Sequence, residues 1–215
     1  NVLHTMKIST RRNKKVRLTN KGGLSLYFVG TGSAFSKTLN QNNLIIVKGD
    51  DHLLVDCGTR CSQALHEVGL PLFNIKNFLI THSHADHIGG FEEVALVNRY
   101  ISNASNKPKM IVPKEYQGLL WDKSLAGGIE FCEVAQGQPL QLTDFFDILR
   151  PKEMELFGRK LWSYQHGPME LILMRTLHIP DSAISIDEAQ WCSGILVNRR
   201  VWVSGDTMFD KDYPT

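Results

Sequence analysis

The most constraining feature of this sequence is a run of three histidines and one aspartate within six residues. The run consists of His82, His84, Asp86 and His87. Imidazole and carboxylate groups are ligands that suit zinc and neighbouring transition metals. The apolar residues 78–80 just before the run predict a buried strand, whose C-terminal end delivers these side chains into a loop closed by Gly89 and Gly90. The pattern predicts an open metal site; the alternative, a histidine-rich loop without metal, does not require this spacing.

Length and composition indicate a single domain over residues 1–215. Hydrophobic side chains make up 42% and charged ones 21%, which is an ordinary globular balance. No apolar stretch approaches the ~20 residues that span a membrane, and the N-terminus has no apolar signal core. The cysteines lack C-x-x-C spacing, so we expect free thiols in a reducing compartment, the cytoplasm. These cysteines are Cys57, Cys61, Cys132 and Cys192.

Positive charge is concentrated in a basic arm at the N-terminus. Residues 1–21 carry seven lysines and arginines and no acidic residue, whereas the rest of the chain has an acidic excess. Such an arm can attract phosphates or nucleic acid. It can also be a solvated edge strand, on which lysine and arginine discourage sheet aggregation.

The hydrophobic pattern and the turn signals predict a mixed fold. Strands are predicted at 24–29, 43–47, 52–56, 77–81, 109–112, 160–166, 170–177, 193–197 and 200–204. Helices are predicted at 62–68 and 91–100, and residues 113–130 form a mostly helical insert. This order favours an α+β fold, an αββα sandwich of two sheets flanked by helices. The insert can pack in the core, cover the site or form a dimer face.

Further metal ligands are expected elsewhere in the chain, because distant segments converge on a metal site. His178 follows the apolar run 171–174 and precedes a turn, so it stands at another strand end. His166 precedes a Gly-Pro pair in a predicted hairpin turn, where we expect it to be exposed, and it is the reserve candidate. Asp206 ends a strand within the sequence Ser-Gly-Asp-Thr. The remaining histidines fit surface or structural positions: His4, His52 and His66.

Together these residues resemble the metallo-β-lactamase superfamily of binuclear metal hydrolases, over residues 24–210. Asp56, within Val-Asp-Cys-Gly, looks like the superfamily's first motif. The aspartate of that motif supports and orients the metal loop, which is residues 82–90 here. The run 30–34, Gly-Thr-Gly-Ser-Ala, is similar to the branch that contains the transfer-RNA 3′-processing endonucleases and related phosphodiesterases. The resemblance implies a metallo-β-lactamase-like fold.

The resemblance also implies a ligand set for two divalent metal ions. The first ion would be held by His82, His84 and His178. Asp86 and His87 would hold the second ion, and Asp206 would bridge the two. Asp86 would also act in catalysis, by orienting the attacking water. Zinc is the preferred metal, and manganese or iron is compatible with the same ligands.

The expected function is metal-dependent hydrolysis by a metal-bound hydroxide. A phosphodiester is the favoured substrate, either a cyclic nucleotide or RNA, because of the Gly-Thr-Gly-Ser-Ala run and the basic arm. Hydrolysis of a lactone, ester or thioester is an alternative, since the fold does not decide among substrates. A non-enzymatic binding module with an incomplete site is a second alternative.

One departure from the superfamily concerns the second metal ion. Members with a full second site usually carry one more histidine beyond the bridging aspartate, and residues 207–215 contain none. We therefore expect either that the polypeptide continues past Thr215 and completes the fold, or that the partner chain of a homodimer supplies this histidine.

Overall fold

Two β-sheets pack face to face and hold the predicted metal ligands along one edge. The structure, a computed structural model, describes residues 15–102, 106–156, 158–178, 186 and 189–210. Most of the basic arm therefore lies outside the described residues. The two sheets and the helices form a mixed α/β fold, as the sequence predicts.

The first sheet has six strands in the order β1-β2-β3-β4-β5-β8. Its strands are β1 (Ser25–Gly30), β2 (Asn43–Lys48), β3 (Asp51–Val55), β4 (Asn77–Leu79), β5 (Lys109–Ile111) and β8 (Asp147–Leu149). The first three strands pair antiparallel, and β3, β4, β5 and β8 pair parallel. The carboxyl ends of β3 and β4 therefore lie side by side, which brings the segments that follow them together.

The second sheet has five antiparallel strands in the order β13-β12-β11-β10-β9. Its strands are β9 (Lys152–Leu156), β10 (Arg159–His166), β11 (Met169–Arg175), β12 (Ser193–Val197) and β13 (Val201–Val203). A separate two-stranded ribbon is formed by β6 (Val134–Ala135) and β7 (Gln138–Pro139). The sequence analysis missed β9, whose five residues are all exposed and include three charged ones, because an exposed edge strand has no continuous apolar run to detect.

Residues 44–47 of β2 are all apolar, because both faces of this strand are covered. Leu44 and Ile46 point to a cluster between the two sheets, together with Leu171 of β11. Ile45 and Val47 point to the opposite side, where they join a cluster formed with the helices. Side chains alternate across a strand, so a strand that is covered on both faces must be apolar at every position.

The helices lie against the first sheet. They are α1 (Cys61–Glu67), α2 (Ala85–Ile88), α3 (Phe91–Tyr100), α4 (Lys114–Leu120), α5 (Ala126–Ile129) and α6 (Leu142–Phe145), with a 3₁₀ turn at Leu72–Asn74 and a π-helical turn at Trp121–Leu125. Each of these α-helices buries apolar side chains in the helix-side cluster. In α3, for example, Phe91, Val94 and Ala95 form a buried face at helical spacing.

The helical insert contributes to the core. Residues 114–129 are helical, with Pro113 at the N-terminal boundary of α4. Leu120 and Trp121 are buried in the helix-side cluster, and Leu119 packs against it from a half-buried position. None of the helices that the structure describes has the length and apolarity needed to cross a membrane.

Candidate metal centre

Four of the predicted ligands form one compact group of donor atoms. His82, His84, His178 and Asp206 each offer one atom, and these atoms all lie within 4.8 Å of one another. The Nδ1 atom of His84 is 3.0 Å from Nε2 of His82 and 3.1 Å from Nε2 of His178. Three imidazole nitrogens and a carboxylate oxygen at this separation make a donor set that fits a divalent transition metal.

A second group of donors shares Asp206 with the first. Oδ1 of Asp206 lies 3.5 Å from Nε2 of His87, which is also 3.4 Å from Oδ2 of Asp86. Oδ2 of Asp206 faces the other way, 4.0 Å from Nε2 of His82 and 3.9 Å from Nε2 of His178. The structure thus brings all six predicted ligand residues together, with the two oxygens of one carboxylate directed at different groups.

A short helix arranges the donors that follow β4. His84 stands at the N-terminal boundary of α2, and its carbonyl accepts hydrogen bonds from the backbone of His87 and Ile88. Helix α2 packs closely on the segment that follows β3. A Cβ atom at Gly58 in that segment would overlap the carbonyl oxygen of Asp86. Glycine at position 58 therefore permits the contact between the two loops.

Asp56 holds the metal loop in place through contacts with Thr81 and His87. Its Oδ1 accepts a hydrogen bond from the backbone N–H of Thr81 at 2.7 Å, and its Oδ2 accepts one from the Thr81 hydroxyl at 2.8 Å. The same Oδ2 lies 2.7 Å from Nδ1 of His87. Asp56 is buried and has a φ of 62°, a conformation that costs energy for a residue with a side chain and is found at functional sites.

The contact with Asp56 selects the tautomer of His87. A carboxylate can only accept a hydrogen bond here, so Nδ1 of His87 carries the hydrogen. Nε2, which faces Asp86 and Asp206, is then the atom that can bind a metal once it is deprotonated. This carboxylate–histidine pairing is the support that metal-binding histidines commonly have.

The other two donors come from the second sheet. His178 lies three residues after β11, and Asp206 lies three residues after β13. The carbonyl of Asp206 accepts hydrogen bonds from the hydroxyl of Thr176 at 2.9 Å and from the thiol of Cys192 at 3.2 Å. The backbone N–H of Ser193 donates to the carbonyl of Thr81 at 3.1 Å, which ties the second sheet to the metal loop.

The electrostatic environment gives His82, His178 and Asp206 charge states that suit a metal. Burial, and then the charge of His87, lower the pKa of His82 to about 2, and burial also lowers the pKa of His178. Burial opposes the charged form of His87, but hydrogen bonds to Asp206 and Asp56 outweigh it and raise the pKa of His87 to about 10. The hydrogen bond with His87 lowers the pKa of Asp206 to about 2. Neutral His82 and His178 beside an ionised Asp206 are the forms that bind metal.

His166, the reserve candidate, lies elsewhere and is not exposed as the sequence analysis expected. It is 7% exposed, and its Nε2 is 3.0 Å from the carbonyl oxygen of His52. The hairpin that carries it folds over the β2–β3 turn, where the ammonium group of Lys48 donates to the carbonyl of Pro168 at 2.8 Å. Contacts with this neighbouring turn bury a histidine that a surface hairpin would expose.

Several supporting residues were not identified from the sequence. The side chains of Thr176 and Cys192 donate hydrogen bonds to the carbonyl of Asp206. Thr81 donates to Asp56, which supports the metal loop. Thr81 directly precedes His82, and this adjacency is the one signal that the sequence offered. The other two become recognisable only when β11, β12 and β13 are placed side by side.

Comparison with known proteins identifies the family. The sequence profile of the family described as Anti-Pycsar protein Apyc1 matches residues 24–214. The Anti-Pycsar protein Apyc1 of Paenibacillus xerothermodurans is 35% identical over 187 residues, which cover 87% of this chain and 67% of that protein. The protein of the same name from Bacillus phage 010DV004 is 35% identical over 192 residues, which cover 87% of this chain and 70% of that protein.

Solved structures identify the fold. The short form of human tRNase Z superposes with a TM-score of 0.55 and 18% identity, over 80% of this chain and 64% of that protein. The metallo-β-lactamase fold protein YhfI from Bacillus subtilis superposes with a TM-score of 0.52 and 13% identity, over 80% of this chain and 57% of that protein. This chain spans less than two thirds of the length of either structure. The chain has the metallo-β-lactamase fold and belongs to the Anti-Pycsar protein Apyc1 family.

Proposed function

We propose that this protein is a metal-dependent hydrolase that cleaves a phosphodiester, and that its substrate is a cyclic nucleotide. The observation that carries the proposal is the direction of the two Asp206 oxygens, one toward His82 and His178 and the other toward His87. A carboxylate in this position suits two metal ions held close together. Two-metal sites of this kind clamp the attacking and leaving oxygens in phosphoryl chemistry.

The chain's residues have distinct roles in this proposal. One ion would be held by His82, His84 and His178. Asp86 and His87 would hold a second, and Asp206 could serve both. Metal ions bound there would lower the pKa of a water molecule and polarise a phosphoryl oxygen. Asp86, whose side chain is 18% exposed, also reaches solvent, so its carboxylate can orient the attacking water and accept its proton.

Asp56 has the supporting role that its contacts suggest. By accepting a hydrogen bond from Nδ1 of His87, it keeps Nε2 available and fixes the plane of the ring. The reaction adds water across one P–O bond of the cyclic diester. The hydroxyl of water joins phosphorus, and a proton goes to the sugar oxygen that leaves, which gives a phosphomonoester.

The burial of three donor histidines supports a small substrate. His82 is fully buried, and His87 and His178 are 3% and 7% exposed, whereas the Asp206 side chain is 41% exposed. A cyclic nucleotide presents its phosphodiester at one side of a small rigid ring, which can approach the donors from the side of Asp206. The relatives bear the name Anti-Pycsar protein, and we propose that this chain has the same anti-Pycsar role. An RNA substrate is the second candidate, supported by the basic arm at residues 1–21.

The metal ion, the cellular compartment and the assembly are also proposed. Zinc is the preferred ion because a set rich in imidazole with carboxylates suits it, and manganese or iron fits the same donors. The free thiols of Cys57, Cys61 and Cys192 are buried, which supports a reducing compartment such as the cytoplasm. A homodimer is proposed as the assembly, with the partner chain adding to the ligands of the second ion.

A substrate panel tests the proposed function. Metal-loaded protein is assayed with bis-p-nitrophenyl phosphate, purine and pyrimidine cyclic nucleotides, short RNA, a lactone and a thioester. We expect turnover of the phosphodiesters, fastest with a cyclic nucleotide. Faster turnover of the lactone or the thioester would contradict the phosphodiester assignment. Bound metal without turnover of any substrate would favour a binding module.

A further inference from the structure

The helical insert touches the metal loop between two donors. The hydroxyl of Tyr116, on α4, lies 2.7 Å from the hydroxyl of Ser83. Ser83 stands between His82 and His84, so this hydrogen bond acts on the centre of the loop that carries the first donor group. Tyr116 is 1% exposed, so a hydroxyl without this partner would be costly at its position.

The ring of Tyr116 continues this contact to another part of the molecule. It stacks on the ring of Trp191, with the ring centroids 5.3 Å apart and the planes at 6°. Trp191 also packs against Trp162 of β10, at a centroid distance of 5.2 Å, and under the guanidinium group of Arg175. Trp191 is in contact with both apolar clusters, one on each side of the first sheet.

Trp191 is directly connected to the segment that holds the remaining donors. The next residue, Cys192, donates from its thiol to the carbonyl of Asp206 at 3.2 Å. The carbonyl of Cys192 accepts the backbone N–H of Thr176 at 2.9 Å, two residues before His178. A chain of contacts therefore runs from Ser83 through two aromatic rings to the loops of His178 and Asp206.

We propose that Tyr116 and Trp191 form a brace that sets the position of the metal loop relative to the loops of the second sheet. Both are positioning residues, since neither touches the donor atoms themselves. The proposal rests on the proposed function only in requiring that the donors bind metal. The donors come from both sheets: His82 and His84 follow a strand of the first sheet, and His178 and Asp206 follow strands of the second. A metal site needs their atoms at fixed separations, so a rigid link between the loops favours binding.

Removal of only the Tyr116 hydroxyl separates the effect of its hydrogen bond from the effect of its ring packing. Tyr116→Phe retains the ring stack on Trp191 but leaves Ser83 without its partner. We expect zinc affinity to fall on the order of ten-fold, as for other residues that orient metal ligands, and kcat to fall with little change in KM. The melting temperature of the metal-free protein should change by less than about 3 °C. Tyr164→Phe, a hydroxyl deletion on β10, is the matched control and should bind zinc like the wild type.

A double-mutant cycle tests whether the hydrogen bond carries the effect. Zinc affinity of the metal-free protein is measured by competition with a chromophoric chelator for Tyr116→Phe, Ser83→Ala and the double variant. We expect the double variant to bind zinc no more weakly than Ser83→Ala alone, because the two substitutions remove the same contact. If Tyr116→Phe folds poorly, Ser83→Ala reports on the same bond from a half-buried loop position.

Three outcomes would overturn the brace. These are wild-type zinc affinity in both single variants, fully additive losses in the double variant, and a fall in melting temperature without any change in zinc affinity. A wild-type protein that binds zinc but hydrolyses no phosphodiester would contradict the proposed function. The brace would still be tested in that case, because the double-mutant cycle measures zinc affinity and not hydrolysis. A wild-type protein that binds no divalent metal would overturn both.

Discussion

Nδ1 of His87 lies 2.7 Å from Oδ2 of Asp56, and both side chains are buried. Asp56 also accepts two hydrogen bonds from Thr81, the residue that precedes His82. One carboxylate therefore supports the beginning of the metal loop and a donor at its far end. A change at Asp56 should be felt in metal binding although the residue is not itself a proposed ligand.

We predict that Asp56→Asn weakens metal binding without abolishing it. Asparagine adopts a positive φ with little penalty, so the substitution removes the charge and one acceptor while it retains the backbone conformation. The affinity for the more weakly held ion should fall about 10–100-fold, and the free energy of unfolding by about 1–3 kcal/mol. Zinc titration followed by calorimetry measures the first, and urea unfolding measures the second. Asp147→Asn, at an exposed position on β8, is the control; equal affinity in both variants would contradict the supporting role.

We predict that His84→Ala removes most of the bound metal. Nδ1 of His84 is the atom nearest to both His82 and His178 in the first donor group. Its loss leaves two imidazoles and one carboxylate, which is a weaker site. Elemental analysis of the wild type should approach two ions per chain, and the variant should retain less than one. His66→Ala, on the exposed side of α1, should match the wild type, and full metal content in His84→Ala would exclude the proposed site.

We predict opposite effects for the two histidines between which the sequence analysis had to choose. His178→Ala should lower metal content and abolish hydrolysis, because it removes a donor atom 3.1 Å from Nδ1 of His84. His166→Ala should retain the metal but lower the free energy of unfolding by about 1–3 kcal/mol, since it removes a buried ring and its contact with the His52 carbonyl. The reverse pattern would show that the ligand is His166.

The sequence signals the candidate donors more clearly than most of the residues that support them. The four residues of the motif follow one strand and His178 follows an apolar run, whereas Asp206 was proposed only beside the motif and the superfamily resemblance. The structure brings these candidates close together. The contact of Tyr116 with Ser83 joins residues 33 positions apart through a helix and a loop. Such contacts depend on how the helical insert packs against the first sheet, which no local pattern encodes.

The errors in the fold have a similar cause. The charged edge strand β9 (Lys152–Leu156) was missed because its residues are all exposed. His166 was expected in solvent because a Gly-Pro pair follows it, yet the β2–β3 turn covers it. In both cases the determining factor is the neighbouring element, whereas the apolar strands of the two cores, such as β2 and β11, carry their own signal.

We predict that His52 makes the protein less stable as the pH falls from 6.5 toward 4. Burial, and then the proximity of His166, lower the pKa of His52 to about 4 against the partial compensation from Asp51. Its Nε2 accepts the backbone N–H of Lys76 at 3.1 Å, which requires the neutral ring. The unfolded chain takes up a proton at His52 near pH 6.5, before the folded chain does, so the stability present above that pH is lost as the pH decreases.

The contribution of His52 can be isolated by substitution. His52→Gln retains an acceptor for the Lys76 N–H but does not titrate, so its stability should fall less between pH 7 and pH 4.5. After allowance for the partial exposure of His52, the difference from the wild type should be on the order of 2 kcal/mol. Urea unfolding at several pH values measures it, with His66→Gln as a control for an exposed histidine. Parallel pH profiles for the wild type and His52→Gln would show that His52 is not responsible for the acid sensitivity.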